Sequence, residues 1–422
     1  MQMLKTACSK GRDFGSMISS QKSPSCSMRI LLVHNEYGEL SGEETAVNGI
    51  HSLLLRNGHE VVPFIRKSSE IPEMPFGRAR AFFNGVYSPA SRRAIRRAIQ
   101  ETTPDLVHVH NLFPLISPSV LPECKQLGLP VVMTVHNYRQ VCPNGLLFRN
   151  GRLCHGCLGG HEWRCVKNNC ERSFCKSLGY SLRTWTARKR RWFLDNVDLF
   201  ICLTEFQRRV LIREGFSQHR LTVIPNSTGD LYCGSASSRN PNDSIYVLYV
   251  GRVSPEKDVQ TLLEAARRLP GIPVRIAGSW HRMPELVGAA PANVDFLGQL
   301  DGAALADQYH RCRMVVFATR CYEGCPTVLL EAMSHAKPVV CSRIGGLPEI
   351  VQEGRTGLLY TPQSPEDMAA KIEELWNSPE LCEQLGRAAR KEALLTYSVQ
   401  RQYDAIHEAY RRAMAGALSA NG

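Results

Sequence analysis

Short apolar runs ending in polar or glycine-containing turns recur along this chain, and most lead into a stretch with the apolar spacing of a helix. Residues 28–33 end in His34-Asn35-Glu36; Ser41-Gly42-Glu43-Glu44 then opens an amphipathic stretch to Arg56, Asn57-Gly58 stops it, and 59–64 is the next apolar run. Strand, loop, helix, strand is most economically a parallel βαβ unit. Runs at 105–110, 129–136, 198–203 and 221–226 continue the pattern, and a second series follows at 245–250, 274–278, 294–298, 314–317 and 337–341. Between the two series, the stretch after Pro225 is rich in Ser, Asn, Gly and Asp with almost nothing apolar to bury, which reads as a linker. The expected fold class is α/β with two Rossmann-like doubly wound domains facing across a cleft. The expected boundaries are a disordered leader or over-long start at 1–27, a first domain at 28–225 interrupted by an insertion at 137–181, a linker at 226–244, a second domain at 245–395, and a C-terminal helix at 396–422 that packs back on the first domain.

With 422 residues there is enough chain for two full cores, and 43% hydrophobic with 21% charged residues is ordinary for a globular protein. No stretch approaches the roughly 18 uncharged apolar residues that a membrane span requires. The first 27 residues lack an apolar h-region, which argues against a cleaved secretory signal. The expected location is cytoplasmic, with peripheral contact at the inner membrane face. The formal charge of +12 favours an anionic partner without choosing among phosphorylated ligands, nucleic acid and acidic lipid.

Two helices carry concentrated cations. One spans 88–100 with Arg92, Arg93, Arg96 and Arg97, and the other spans 180–196 with Arg188, Lys189, Arg190 and Arg191 beside Trp185, Trp192 and Phe193. Each reads as a core-packed helix with a solvated basic face or as a surface for anionic membrane.

Six of the sixteen cysteines, Cys142, Cys154, Cys157, Cys165, Cys170 and Cys175, fall in the insertion, which is too polar to build a core of its own. The Cys154-x-x-Cys157 knuckle with outlying cysteines fits a structural zinc site. Cys142, Cys154 and Cys157 are the expected ligands, with Cys165 as the fourth or else Cys170 or Cys175. Free thiols and an iron–sulfur cluster are the alternatives.

The chemistry-bearing stretch is 321–333. The apolar run 314–317 precedes a polar turn holding Glu323, and an apolar helix holding Glu331 follows Pro326, which suits a first helical position. Such a junction aims backbone N–H groups and a helix N-terminus at the carboxyl edge of a parallel sheet, where phosphate is stabilised. Arg252 and Lys257 flank another turn at a strand's carboxyl end; Arg binds a diphosphate bidentately and Lys acts as a compact charge. Three strands of the first half end near His34, His110 and His136 and would line the corresponding edge of that domain.

In order and spacing, Gly251-Arg252…Lys257, Glu323-Gly324-Cys325-Pro326…Glu331-Ala332 and Gly345-Gly346-Leu347-Pro348-Glu349…Gly354…Gly357-Leu358 resemble the donor-site motifs of glycosyltransferase family 4, retaining enzymes of the GT-B fold. The resemblance covers residue 28 to about residue 410. It implies a nucleotide diphosphate sugar donor and a glycan or lipid-linked acceptor, with no cofactor for catalysis and no nucleic acid. Arg252 and Lys257 would bind the diphosphate, Glu323 the sugar hydroxyls and Glu331 the ribose. Gly251, Gly278, Gly324, Cys325, Pro326 and Thr327 would lie along the donor, His136 would contact the transferred sugar, and Gly42 and His110 would line the acceptor side. Ser41 and Asp258 stand where many members have glycine, and the Cys-rich insertion resembles one found in a subset of the family. No Asp-x-Asp motif occurs, which suits metal-independent chemistry. Other GT-B activities, such as nucleotide-sugar epimerisation or glucan synthesis, and a non-catalytic basic scaffold or RNA-binding protein are the rival readings.

Overall fold

The computed structural model describes residues 27–37, 42–229 and 246–420. The first sheet contains β1 (Arg29–Glu36), β2 (Glu60–Lys67), β3 (Leu106–Val109), β4 (Val131–Val135), β7 (Leu199–Cys202) and β8 (Leu221–Val223), all parallel, in the order β2-β1-β3-β4-β7-β8. A short hairpin in the insertion supplies β5 (Phe148–Arg149) and β6 (Arg152–Leu153). The second sheet contains β9 (Val247–Val250), β10 (Val274–Ala277), β11 (Val294–Gly298), β12 (Met314–Phe317), β13 (Val339–Ser342) and β14 (Gly357–Tyr360), also parallel, in the order β11-β10-β9-β12-β13-β14. The central strands are buried along their whole length, as β9, β12 and β13 show, because helices cover both faces; they read as continuous apolar, Val-rich runs for that reason. In the second sheet the order reverses between β9 and β12, which opens a crevice beyond their carboxyl ends.

Helix Val399–Ala420 crosses back to the first domain. Ile406, Ala409, Tyr410 and Ala413 join Ile30, Leu106, Leu199 and Ile201 in one apolar cluster. Tyr410 Oη lies 2.7 Å from His108 Nδ1, and Tyr403 Oη lies 2.9 Å from His59 Nε2.

The single helix expected at 180–196 is two, Phe174–Lys189 and Trp192–Asn196. Arg191 has φ 50°, and this left-handed turn lets Trp192 and Phe193 enter the first core. The basic faces are also less superficial than their sequences suggest. Arg92 Nε and Arg96 Nε both donate to buried Glu123, at 2.6 and 2.8 Å. Arg188 pairs with Glu162 and Glu214, and Arg183 is buried against the rings of Tyr180 and Phe113. Among the described residues no helix is long and apolar enough to cross a membrane. Pro326 precedes helix Thr327–Ser334 with extended backbone (φ −62°, ψ 123°) and so stands at its cap, one residue before the expected position.

Candidate active site

Two turns meet at the crevice of the second sheet. After β9, the chain turns at Gly251 (φ 149°), passes Arg252 and forms a short 3-10 turn at Pro255–Lys257. After β12 it runs through Thr319 to Pro326. Lys257 Nζ lies 2.7 Å from Glu323 Oε1, and the Thr319 hydroxyl donates to that oxygen at 3.0 Å. Thr319 Oγ1 also reaches the Glu256 carbonyl at 3.1 Å, and Arg320 donates its backbone N–H to the same carbonyl and its Nε to Asp258 Oδ1 at 2.5 Å. Burial disfavours the Lys257 ammonium, but Glu323 outweighs it and holds the pKa above the ordinary lysine value.

Gly278 closes the floor of the turn. At φ 150°, a Cβ there would stand 1.9 Å from the Gly251 carbonyl oxygen, so only glycine permits this backbone approach. Glu331 is buried, which raises its pKa, and hydrogen bonds from Tyr309, at 2.8 Å, and Thr327 partly offset the burial. Cys325 is buried, and its carbonyl accepts from Asn226 Nδ2 at 2.7 Å.

The first domain closes on this turn. A Cβ on Gly324 would lie 2.9 Å from Leu203 Cδ1 and 3.4 Å from the His136 carbonyl oxygen. Glu349 sends its carboxylate across the seam to accept the backbone N–H groups of Glu205 and Phe206, both at 2.7 Å, and contacts Arg209 at 3.2 Å. Those amides belong to the first turn of helix Glu205–Arg213, where a carboxylate is favoured by both hydrogen bonding and the helix dipole. Tyr322 packs on Phe206 and stacks on His155 of the insertion, with its hydroxyl 3.2 Å from His155 Nε2.

On the first domain's side, His110 Nδ1 lies 2.9 Å from His136 Nε2, and His108 packs beside them. Burial depresses all of these histidines: His34 and His136 to about 4, His108 to about 3, and His110 well below the usual value. They are neutral near pH 7. Buried Glu43 accepts from Tyr37 Oη at 2.9 Å, and burial raises its pKa. Both ring nitrogens of His34, His110 Nε2 and Glu43 Oε1 are buried without a hydrogen-bond partner among the described residues. Buried polar atoms of this kind suit a hydroxyl-rich ligand.

Gly251, Arg252, Lys257, Gly278, Glu323, Gly324, Cys325, Pro326 and Thr327 are thus carried by the turns around one crevice, with Glu331 on the helix that follows. His136 stands across the seam and His110 beside it. Gly42 opens helix Gly42–Arg56, while Ser41 and the rest of 38–41 lie outside the described residues, as does most of the linker expected at 226–244. Sequence reasoning missed Thr319, Arg320, Tyr322 and Asn226, the last because its polar neighbours disguised a buried seam residue. It quoted Glu349 without a role.

In the insertion, Cys142, Cys154, Cys157, Cys165 and Cys170 line one small cavity together with Phe148. Cys175 is exposed and lies outside that lining. Among the described residues no three His, Cys, Asp or Glu side chains are already gathered closely enough to hold a metal ion.

A family model described as Glycosyltransferase Family 4 matches residues 40–228, and one described as Glycosyl transferases group 1 matches residues 235–392. Glycogen synthase of Mycobacterium tuberculosis is 25% identical over 429 residues, covering 92% of this chain and 96% of that protein. Sulfoquinovosyl transferase SQD2 of Arabidopsis thaliana is 35% identical over 152 residues, covering 35% of this chain and 29% of that protein. Among solved structures, sucrose-phosphate synthase of Thermosynechococcus elongatus aligns with a TM-score of 0.69 at 21% identity, covering 92% of this chain and all (100%) of that one. Anabaena HepE in complex with UDP and glucose aligns with a TM-score of 0.63 at 18% identity, covering 90% of this chain and 98% of that one. The two models in tandem, on two parallel-sheet domains, place the chain among the glycosyltransferases of the group 1 and family 4 kind, with the GT-B fold.

Proposed function

We propose that this protein transfers a sugar from a nucleoside diphosphate sugar to a hydroxyl acceptor with retention at the anomeric carbon. The observation that carries the reading is the Lys257–Glu323 pair, held beside Arg252 where the strand order of the second sheet reverses. Arg252 and Lys257 take the diphosphate and stabilise the charge that develops on the departing phosphate, the task for which preorganised cations are most effective. Glu323 keeps Oε1 on Lys257 and Thr319 and offers Oε2 to a sugar hydroxyl. Glu331 turns from Tyr309 toward the ribose. The complexes of HepE with UDP and with UDP-glucose support a nucleotide sugar as donor.

The acceptor enters beside His136 and against His34, His110 and Glu43, whose atoms without a partner among the described residues take its hydroxyls. Closure along the Gly324–His136 seam excludes water that would otherwise hydrolyse the donor. The departing phosphate accepts the acceptor's proton, so the chemical step needs neither a protein nucleophile nor a metal. The reading places the enzyme in the cytoplasm, with any contact to the membrane's inner face made by exposed Arg93, Arg97, Lys189 and Arg190 and not by the paired cations beside them.

The decisive experiment compares donor turnover by the wild type, Arg252→Ala and Glu323→Ala over a panel of nucleotide sugars. Loss of transfer in both variants is expected; unchanged rates in both would remove the proposed site. Free epimerised nucleotide sugar formed without acceptor would favour the epimerase reading.

A further inference from the structure

The insertion meets the donor turn at Tyr322, which stacks on His155 and meets Tyr138 edge to face, and the question is what holds the insertion itself. It has almost no apolar interior. Instead, five cysteines converge on a cavity of about 10 Å³, the space of one water or one small ion. All are free thiols.

Cys142 opens the sequence Cys142-Pro143-Asn144-Gly145, which turns sharply at Gly145 (φ 78°). The Cys142 sulfur sits beside the backbone N–H groups of Leu147, Gly145 and Asn144, and its thiol donates to Asn144 Oδ1 at 3.0 Å. The β5–β6 hairpin follows and returns the chain to Cys154, whose N–H donates to the Leu147 carbonyl at 2.7 Å. The two knuckles therefore face one another across the cavity. Cys170 closes the set from the far end of helix Trp163–Lys167, with the Cys165 thiol hydrogen-bonded to it. Arg149, on β5, brings positive charge to Cys170, and its Nε is buried with no partner among the described residues.

We infer that Cys142, Cys154, Cys157 and Cys170 form a structural zinc site, with Cys165 as a hydrogen-bonding neighbour of Cys170 and Arg149 as the balancing charge. Among the described residues these side chains are not gathered into a ready ligand group; on binding, the cation would draw them in to Zn–S bonds of about 2.3 Å. Four S–H bonds break as four Zn–S bonds form, the protons pass to solvent, and no oxidant or reductant takes part. The consequence for the molecule is local order. His155 lies between two of the ligands, so the metal fixes the turn that presents its ring to Tyr322 in the donor turn. Because the site is defined by metal binding, its test is independent of which sugar, if any, is transferred.

The experiment is elemental analysis of the full-length protein purified under reducing, chelator-free conditions, with thiol titration before and after a zinc chelator. About one zinc per chain is expected, and chelation should expose about four additional reactive thiols, as a tetrathiolate requires. Replacement by cobalt should give the visible absorption of a tetrahedral cobalt–thiolate centre. Cys170→Ser should lose the metal or bind it at least ten-fold more weakly, while Cys165→Ser and Cys175→Ser retain it. A wild-type protein that binds neither zinc nor cobalt on reconstitution, and whose thiols titrate freely from the start, overturns the site. Iron with acid-labile sulfide overturns the assignment to zinc, and metal loss in Cys165→Ser with retention in Cys170→Ser overturns the ligand set.

Discussion

Lys257 Nζ and Glu323 Oε1, 2.7 Å apart, join the turn after β9 to the turn after β12 across the point where the strand order reverses. Both side chains are mostly buried, so the two turns are fixed before any ligand arrives. Removing one partner leaves the other as a buried charge. Lys257→Ala should therefore cost stability, roughly 3–5 kcal/mol for a buried pair, as well as transfer. Glu323→Gln keeps a hydrogen-bond acceptor for the ammonium but not the compensating charge, so it should melt between Lys257→Ala and the wild type while losing about 10²–10³ in kcat/KM, the scale of one preorganised catalytic hydrogen bond. Thermal melts and transfer rates on both variants check the split. A Lys257→Ala protein as stable as the wild type would show that the pair does not hold the turns.

Glu349 caps a helix of the other domain, so its effect should appear in domain closure more than in either domain alone. Glu349→Ala removes the acceptor for the Glu205 and Phe206 amides and should cost about 0.5–2 kcal/mol, as the loss of a helix cap does. The expected result is a larger radius of gyration by small-angle scattering and more donor hydrolysis relative to transfer. Glu349→Gln, with one acceptor oxygen, should fall between. An unchanged scattering profile together with unchanged hydrolysis would assign Glu349 a role confined to its own domain.

Most of the strands and the donor turns were legible because a buried parallel strand writes itself as an apolar run, and a turn at its carboxyl end writes itself in Gly, Pro and charge. The seam was not legible. Asn226 looks like the first residue of a polar linker, yet it is buried and holds the Cys325 carbonyl; nothing local distinguishes it. Arg92, Arg96 and Arg188 read as a basic surface because their carboxylate partners, Glu123, Glu162 and Glu214, are 26–31 residues away in sequence. Helical periodicity places a side chain on a face without saying whether another element covers it. The break at Arg191 was hidden for a similar reason: its left-handed backbone is rewarded by the burial of Trp192 and Phe193 in a distant core.

The histidine-lined edge gives the fold a pH dependence with a definite sign. His34 and His136 have folded pKa values near 4 and His108 near 3, against about 6.5 unfolded. Between about pH 6.5 and pH 4 the unfolded chain binds protons that the folded chain refuses, so stability falls as pH is lowered through that window. Glu43, which faces His34, and Glu171, Asp258 and Glu331 elsewhere have raised pKa values and work in the opposite direction, but six imidazoles lowered by burial, His34, His59, His108, His110, His136 and His335, outnumber these four carboxyls. The melting temperature should fall from pH 7 to pH 5, and more gently in His136→Asn. A profile that is flat or rises on acidification would contradict the buried, neutral state of these rings.

Asp258 poses a competition that magnitudes can decide. It sits at φ 52°, where glycine is unstrained, and many family members carry glycine at this place. Relief of the left-handed strain in Asp258→Gly is worth at most about 1–2 kcal/mol, and less for Asp, which tolerates this region better than most residues. Against it stand two hydrogen bonds to a fully buried carboxylate, from Arg320 Nε at 2.5 Å and Thr261 Oγ1 at 2.7 Å. Burial raises the Asp258 pKa, and these two partners are what oppose it. Bonds to charged groups contribute roughly 1.5–3 kcal/mol each, and their loss also leaves Arg320 without its anion. The bonds win: Asp258→Gly should destabilise by about 2–4 kcal/mol on these figures, and Asp258→Asn, which keeps an acceptor oxygen and the tolerance for positive φ, should lie between it and the wild type. Because Arg320 also holds the Glu256 carbonyl beside Lys257, the glycine variant should bind the donor more weakly as well. Melting curves and donor titrations on the two variants give the order directly, and a glycine variant that melts above the wild type would mean that backbone strain outweighs the buried ion pair.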